Sequence, residues 1–275
     1  MRALHAGCLS MLALCAGAAT AQETPIAAGD VLPGKDQTGV VHVNAMKNPE
    51  IHSYRAIVAG LDKFDELHAL APAVPRLLFA ARARNGGPLR GPVPAATLSA
   101  DDFALALPVD ADAQFEVPRS RQAWDARAEL VLSRRRSEVR VWPAIRTPGL
   151  ADNQRRLGDL RLECQVLVAV GKEEAPFWAV ALGTSVMLTG DWCSILKNKD
   201  RTWHVHMPAE LASATLRDGE RSVALKVKGN AFAVPISDTG WSNDALVEVT
   251  YAPAEPAADP APATRTADET PRTAP

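Results

Sequence analysis

The sequence predicts an all-β, mostly antiparallel fold, built as one or two β-sandwich domains with a single helix near residues 53–71. Three observations carry that expectation. Short stretches of period-two alternation recur at roughly 8–12-residue intervals. Turn chemistry separates them: Asn85-Gly86-Gly87-Pro88, Asp110-Ala111-Asp112, Asp218-Gly219 and Gly229-Asn230. One stretch alone carries apolar residues at helical spacing.

The chain opens with Met1-Arg2, followed by a mostly apolar run from Cys8 to Ala19 and by Ala19-Thr20-Ala21 before Gln22. A basic start, a short apolar centre and an A-x-A site describe a secretory signal peptide over residues 1–21. Leu12-Ala13-Leu14-Cys15 has the outline of a lipoprotein anchor, but Leu14 is bulky where a small residue is wanted, so a cleaved signal is the preferred reading. Residues 22–38 are expected to form an extended lead. The heavy use of Ala, Arg and Pro suggests a bacterial source, and hence a periplasmic or secreted location.

From Ser53 to Ala71, Ile57, Val58, Leu61, Phe64 and Leu67 or His68 recur at helical intervals, and Pro72 follows. Ser53 is placed to accept a hydrogen bond from the first free amides, and Gly60 weakens the helix by about 1 kcal/mol relative to Ala. Alternation then marks strands at Phe103, Leu105 and Leu107; Phe115 and Val117; Ala128, Leu130 and Leu132; and Val139 and Val141. A loop-like break spans Pro143 to Leu157. It separates about seven strands from about eight and suggests a β-rich domain at 39–146 and a β-sandwich at 147–251, with one larger sandwich as the alternative.

The clearest strand signal is Asp159 to Val170. Leu160, Leu162, Cys164, Val166, Val168 and Val170 fall on one face, and Asp159, Arg161, Glu163 and Gln165 on the other. Further strands are expected from Phe177 onward, through Val223, Leu225 and Val227, through Phe232, Val234 and Ile236, and through Val247, Val249 and Tyr251. Residues 252–275 hold six prolines and no large apolar side chain. They read as a disordered, polyproline-biased tail.

Loss of the signal peptide removes Cys8 and Cys15. The remaining pair, Cys164 and Cys193, is expected to form one disulfide, with Cys164 reaching from a core-facing strand toward a second sheet. Closing that loop would stabilise the fold by about 3–4 kcal/mol.

The 275-residue chain is 47% hydrophobic, with 30 basic and 32 acidic side chains and a formal charge of −2. Wholesale disorder is excluded. Nothing in that balance points to nucleic acid, and no apolar run after the signal is long enough for a transmembrane segment. Trp203-His204-Val205-His206-Met207 places two imidazoles on one strand face, which makes His204 and His206 weak candidates for a metal. His42 and Asp191 are further candidate ligands, though their spacing does not bring them close. Arg134-Arg135-Arg136 and Arg155-Arg156 read as a hairpin turn and a solvated loop, the second braced by Asp152 or Asp159. The paired acids Asp101-Asp102 and Glu173-Glu174 read as turn residues that aid solubility.

No G-x-S-x-G, H-E-x-x-H, P-loop or G-x-G-x-x-G motif occurs, and neither mature cysteine lies in C-x-x-C. No cofactor is implied. Among the tryptophans, Trp178, Trp192 and Trp241 sit where they complete a core or anchor a partner. The functional expectation is a secreted bacterial envelope protein acting as a non-catalytic β-sandwich module that binds an envelope protein or a glycan. A periplasmic metal-dependent hydrolase using His204 and His206 is one alternative; a structural envelope component is another.

Overall fold

A computed structural model of the chain describes residues 47–86, 89–175, 193 and 203–253. The expected signal peptide, the expected extended lead, nearly all of the expected C-terminal tail, His42, Asp191, Trp178, Trp192 and the strand expected from Phe177 lie outside the described residues.

Along the chain come β1 (Pro49–Ser53), α1 (Tyr54–Glu66), β2 (Leu78–Ala83), β3 (Ala96–Ala100), β4 (Phe103–Leu107), β5 (Gln114–Phe115), a short α2 (Arg121–Asp125), β6 (Glu129–Arg135) and β7 (Val139–Ala144). After them come β8 (Gln154–Arg156), α3 (Leu157–Glu174), β9 (Trp203–His206), β10 (Leu211–Asp218), β11 (Arg221–Ala224), β12 (Val227–Lys228), β13 (Ala231–Val234) and β14 (Leu246–Tyr251). The strands pair antiparallel in four sheets, ordered β1-β6-β3-β4, β5-β2-β7, β11-β10-β14-β8 and β12-β13-β9. The fold is mostly β, as the alternation predicts.

Two hydrophobic clusters fill it. The first joins Leu98, Leu130 and Leu132 to Phe79, Phe115, Val139 and Val141 across two sheets. The second joins Val205, Phe232 and Val234 to Leu216, Val247 and Val249 across the other two. Full burial of each such side chain contributes about 1.5–3 kcal/mol. Strand β7 shows how the pattern works: Val139 and Val141 face the core, which leaves Arg140 and Trp142 on the opposite face.

Helix α1 forms where helical spacing predicts it. Tyr54, Ile57, Leu61 and Phe64 form its buried stripe. The Tyr54 hydroxyl donates to the Pro118 carbonyl at 2.8 Å and accepts from the Ser120 amide at 2.6 Å. Ser53 stands at the N-cap position, but its side chain makes no capping bond. Gly60 serves packing more than it weakens the helix: a Cβ there would meet Val170 Cγ2 at 2.8 Å.

Residues 159–170 are not a strand. They form most of α3, an 18-residue helix. In a helix, residues two apart lie about 200° apart around the axis, on nearly opposite sides. Leu157, Leu160, Cys164 and Val168 pack on the second cluster; Leu162 and Val166 pack on the first. Each set follows helical spacing, and the two interleave as an apparent period of two. A helix buried between two cores thus imitates a strand. The disulfide between Cys164 and Cys193 forms, with Cα atoms 6.0 Å apart, but it ties a helix to Cys193 and does not join two sheet strands.

The loop expected around Arg155-Arg156 is not solvated either: both side chains are buried on β8, at the entry to α3. Glu173 and Glu174 end α3 and do not form a turn between strands. Trp241 completes the second core under the guanidinium of Arg221, 3.7 Å from its ring centre.

Gly158 sits at the start of α3, donating to the Asn243 carbonyl at 2.9 Å. A Cβ there would collide with the Leu70 carbonyl, a backbone atom, whereas at Gly60 the nearest atom is the tip of a side chain. Gly158→Ala is therefore expected to destabilise the protein by about 3 kcal/mol or more despite alanine's better helix propensity. Gly60→Ala should cost no more than about 1–2 kcal/mol in the same urea melts. Equal losses at the two positions would contradict this account of the junction.

His52 on β1 hydrogen-bonds Glu174 at 2.6 Å and Glu50 at 3.1 Å. Burial alone would lower its pKa, but the hydrogen bonds and charges of Glu174 and Glu50 outweigh burial and raise it to about 9. A group raised in the folded state stabilises fully below its unfolded pKa, here near 6.5. On the order of 2–3 kcal/mol of stability is expected to be lost as pH rises from about 6.5 through about 9. His52→Gln should flatten that slope in denaturation curves taken across the range.

Candidate functional site

The region with the most unbalanced chemistry lies where β2, β7 and β9 approach one another. Register pairs Arg82 of β2 directly with Arg140 of β7. Like charges opposite each other across a ladder destabilise a sheet. Among the described residues neither guanidinium has a carboxylate within ion-pair distance. Arg140 lies over the Trp142 ring, 4.3 Å from its centre, and its Nε is buried without a hydrogen-bond partner. Burial lowers the pKa of Arg140, and the charges of Arg84 and Arg82 lower it further. Burial also lowers Arg82, with Glu163 opposing the shift and Arg155 adding to it; even so, the Arg82 side chain keeps a solvent-exposed surface at the rim.

Strand β9 supplies the facing wall. His204 is exposed and His206 half-buried, with Val205 between them directed into the core. Trp203 meets Trp142 with ring centres 5.9 Å apart. The turn after β2 closes against the His206 ring: Gly86, at φ +77°, leaves no room for a Cβ because the imidazole occupies that space. Asn230 pins this turn by donating from Nδ2 to the Gly86 and Met207 carbonyls at 2.5 and 2.8 Å. Burial lowers the pKa of His206, and the charges of Arg140, His204 and Arg82 add to that shift.

Two spaces with part of their lining in common result. An open cleft of about 470 Å³ is lined by Arg82, Arg140, His206, Asp112, Gln114 and several small residues. An inner cavity of about 30 Å³ shares Arg82, Arg140 and His206, and adds Trp142, Trp203, His204, Arg155 and Glu163. Beneath it Arg155 donates to Glu163 at 2.6 Å and to the Ile145 carbonyl at 3.3 Å, while its own Nε is buried without a partner.

Other clefts carry less unspent chemistry. One of about 590 Å³ is lined by Arg161 and Trp241. The Arg161 guanidinium makes four hydrogen bonds there, to the carbonyls of Ile236, Asp238 and Trp241 and to Asn243 Oδ1. A third, of about 530 Å³, lies along the mostly apolar β4.

His204 and His206 share one face of β9, as their spacing predicts, and both line the inner cavity. Among the described residues no group of three His, Cys, Asp or Glu side chains could hold a metal ion. Two arginines without acidic partners adjoin the imidazoles, an electrostatic setting opposed to a dication. Sequence reasoning did not find Arg82, Arg140, Trp142 or Glu163. The signal for two of them was present: Val139-Arg140-Val141-Trp142 alternates, so Arg140 and Trp142 share the non-core face. The partner strand and its register were not readable.

Comparison with known proteins finds no family model, no curated protein and no solved structure that matches this chain. Among the described residues no helix is long and apolar enough to cross a membrane.

The buried pair beneath the cavity can be probed directly. Removing one partner of such a pair leaves an uncompensated charge and costs about 3–5 kcal/mol. Glu163→Ala is expected to lose that amount in chemical denaturation. Arg155→Met with Glu163→Leu together should recover most of it, because the second change removes the stranded charge.

Proposed function

We propose that this chain is an exported protein of the bacterial envelope that acts as a non-catalytic binding module for a protein or a glycan. Its ligand enters the cleft bounded by Arg82, Arg140 and His206. The observation that carries the reading is a concave space of ligand size lined by Arg82 and Arg140, two arginines without an acidic partner among the described residues, with the Arg140 Nε buried and unbonded. A buried donor without a partner costs free energy in the empty protein, and a ligand that satisfies it recovers that cost. The disulfide between Cys164 and Cys193 supports a location in an oxidising compartment, periplasmic or extracellular.

A periplasmic metal-dependent hydrolase is the second reading. Its support is the pair His204 and His206 lining one cavity, with Glu163 engaged by Arg155 and no third described His, Cys, Asp or Glu side chain grouped with the pair to hold a metal ion. Calorimetric titration with zinc or copper separates the two: heat above buffer that His204→Ala abolishes would favour the hydrolase.

For the binding module, the expected outcome has three parts. Fractionation of the native host finds the protein in the envelope, beginning at Gln22. The purified protein is retained by envelope glycans or immobilised envelope proteins. Arg140→Ala weakens that retention at least tenfold while the far-ultraviolet spectrum stays unchanged. A cytosolic product with both thiols reduced, or retention indifferent to Arg140, would refute it.

A further inference from the structure

We propose that the facing pair Arg82 and Arg140, with His206 beside it, is an oxyanion site that takes a carboxylate or phosphate, either as a free ion or as part of a small molecule lying in the cleft. The inference rests on the reading of this cleft as the ligand site, and it names the chemistry of the group bound there.

Three observations point the same way. The first is electrostatic. Register sets Arg82 and Arg140 opposite each other across a ladder, both line the same cleft, and among the described residues no carboxylate pairs with either. An antiparallel sheet gains nothing by placing like charges there. An anion between them converts the repulsion into two attractions.

The second is the pattern of unmet hydrogen bonds. The buried side-chain nitrogens without partners among the described residues are Arg140 Nε and Arg155 Nε, and both arginines line the inner cavity. Arg155 is only 7% exposed, so bulk solvent does not satisfy it. The cavity of about 30 Å³ has room for about one water molecule or the oxygen of a bound group.

The third is the composition of the walls. Guanidinium forks bind carboxylate and phosphate through two parallel bonds. The same cleft is lined by Asp112 and by Gln114 of the neighbouring strand β5, groups suited to hydroxyls or an ammonium on the remainder of a ligand. The volume of about 470 Å³ lies within the range of small-molecule sites, about 300–1,000 Å³. The rest of the lining mixes small residues such as Ala80, Ala83 and Gly86 with the larger apolar Leu89, Val93 and Met207.

The test is calorimetric titration and thermal melting of the mature chain at fixed ionic strength, with inorganic phosphate, sodium galacturonate and neutral galactose as probes. Galacturonate or phosphate should bind at least tenfold more tightly than galactose, and the preferred probe should raise the melting temperature. Phosphate as tight as galacturonate identifies the free ion as sufficient; tighter galacturonate assigns the site to an organic acid. Arg82→Gln should weaken anion binding at least tenfold and leave the ligand-free protein melting no lower than the parent, because one of two repelling charges is gone. Arg82→Lys, which keeps the charge and loses the fork, should fall between them and serves if Arg82→Gln does not fold. Equal binding of galacturonate and galactose, or anion binding indifferent to both substitutions, would overturn the proposal. So would envelope-glycan or envelope-protein retention that depends on Arg140 but that neither anion competes away; in that case the cleft would remain the ligand site and only its assigned chemistry would fail.

Discussion

The structure depends on a set of buried charges at the entry to α3. Arg155 meets Glu163 at 2.6 Å with both side chains almost fully enclosed. Next to it Arg156 reaches Asp244 at 2.7 Å, Asp159 at 3.5 Å and the Leu70 carbonyl at 2.5 Å. Asp159, with no exposed surface, accepts from the amide and hydroxyl of Thr147 at 2.7 and 2.8 Å. Such ions are costly to desolvate, and only a fully bonded geometry offsets the cost. The contacts reach from Leu70 in one half of the chain to Asp244 in the other, so these bonds fix how α3 enters the molecule. Leu157 and Gly158, at the head of the helix, give their free amides to the Ala245 and Asn243 carbonyls at 2.8 and 2.9 Å. Backbone from a distant loop thus does the work that a capping side chain usually does.

That arrangement explains the composition of Arg155 to Cys164. Arg155, Arg156, Asp159 and Glu163 are not surface charges: they pair among themselves at separations of three and eight residues and with Thr147, Leu70 and Asp244 farther along the chain. It also places the candidate site. Arg155 and Glu163 form the floor of the cavity beneath Arg82 and Arg140, so the rigidity of the junction is passed to the cleft. The floor is balanced and the walls are not. Arg82 and Arg140 carry charge that the protein leaves uncompensated among its described residues.

Much of the β architecture was legible because its strands have one buried face. Residues 103–107, 129–135, 139–144, 231–234 and 246–251 alternate, and the glycines at 219 and 229 adopt positive φ in their hairpin turns. Helix α1 was legible because one face alone is buried. Helix α3 was not, because both of its sides are. A window that counts apolar residues cannot tell one face seen twice from two faces seen once. Strands β1, β3 and β8 hold at most one large apolar side chain each, so no alternation shows in them. The cysteine pairing followed from arithmetic, but its geometry did not, since it depended on the secondary structure assigned to Cys164. His204 and His206 were found because they adjoin in sequence. Arg82 and Arg140, 58 positions apart, become neighbours only through the β2–β7 register, and nothing local announces a long-range register.

Helix α3 contributes apolar side chains to both clusters, and this has a consequence for how the molecule comes apart. If Leu160 and Cys164 lose their packing, Leu162 and Val166 on the opposite side lose the backbone that positions them. Loosening of one half is thereby transmitted to the other, and neither cluster has a private melting transition. The helix acts as a shared axle: a protein with two greasy interiors behaves, on opening, as one cooperative body.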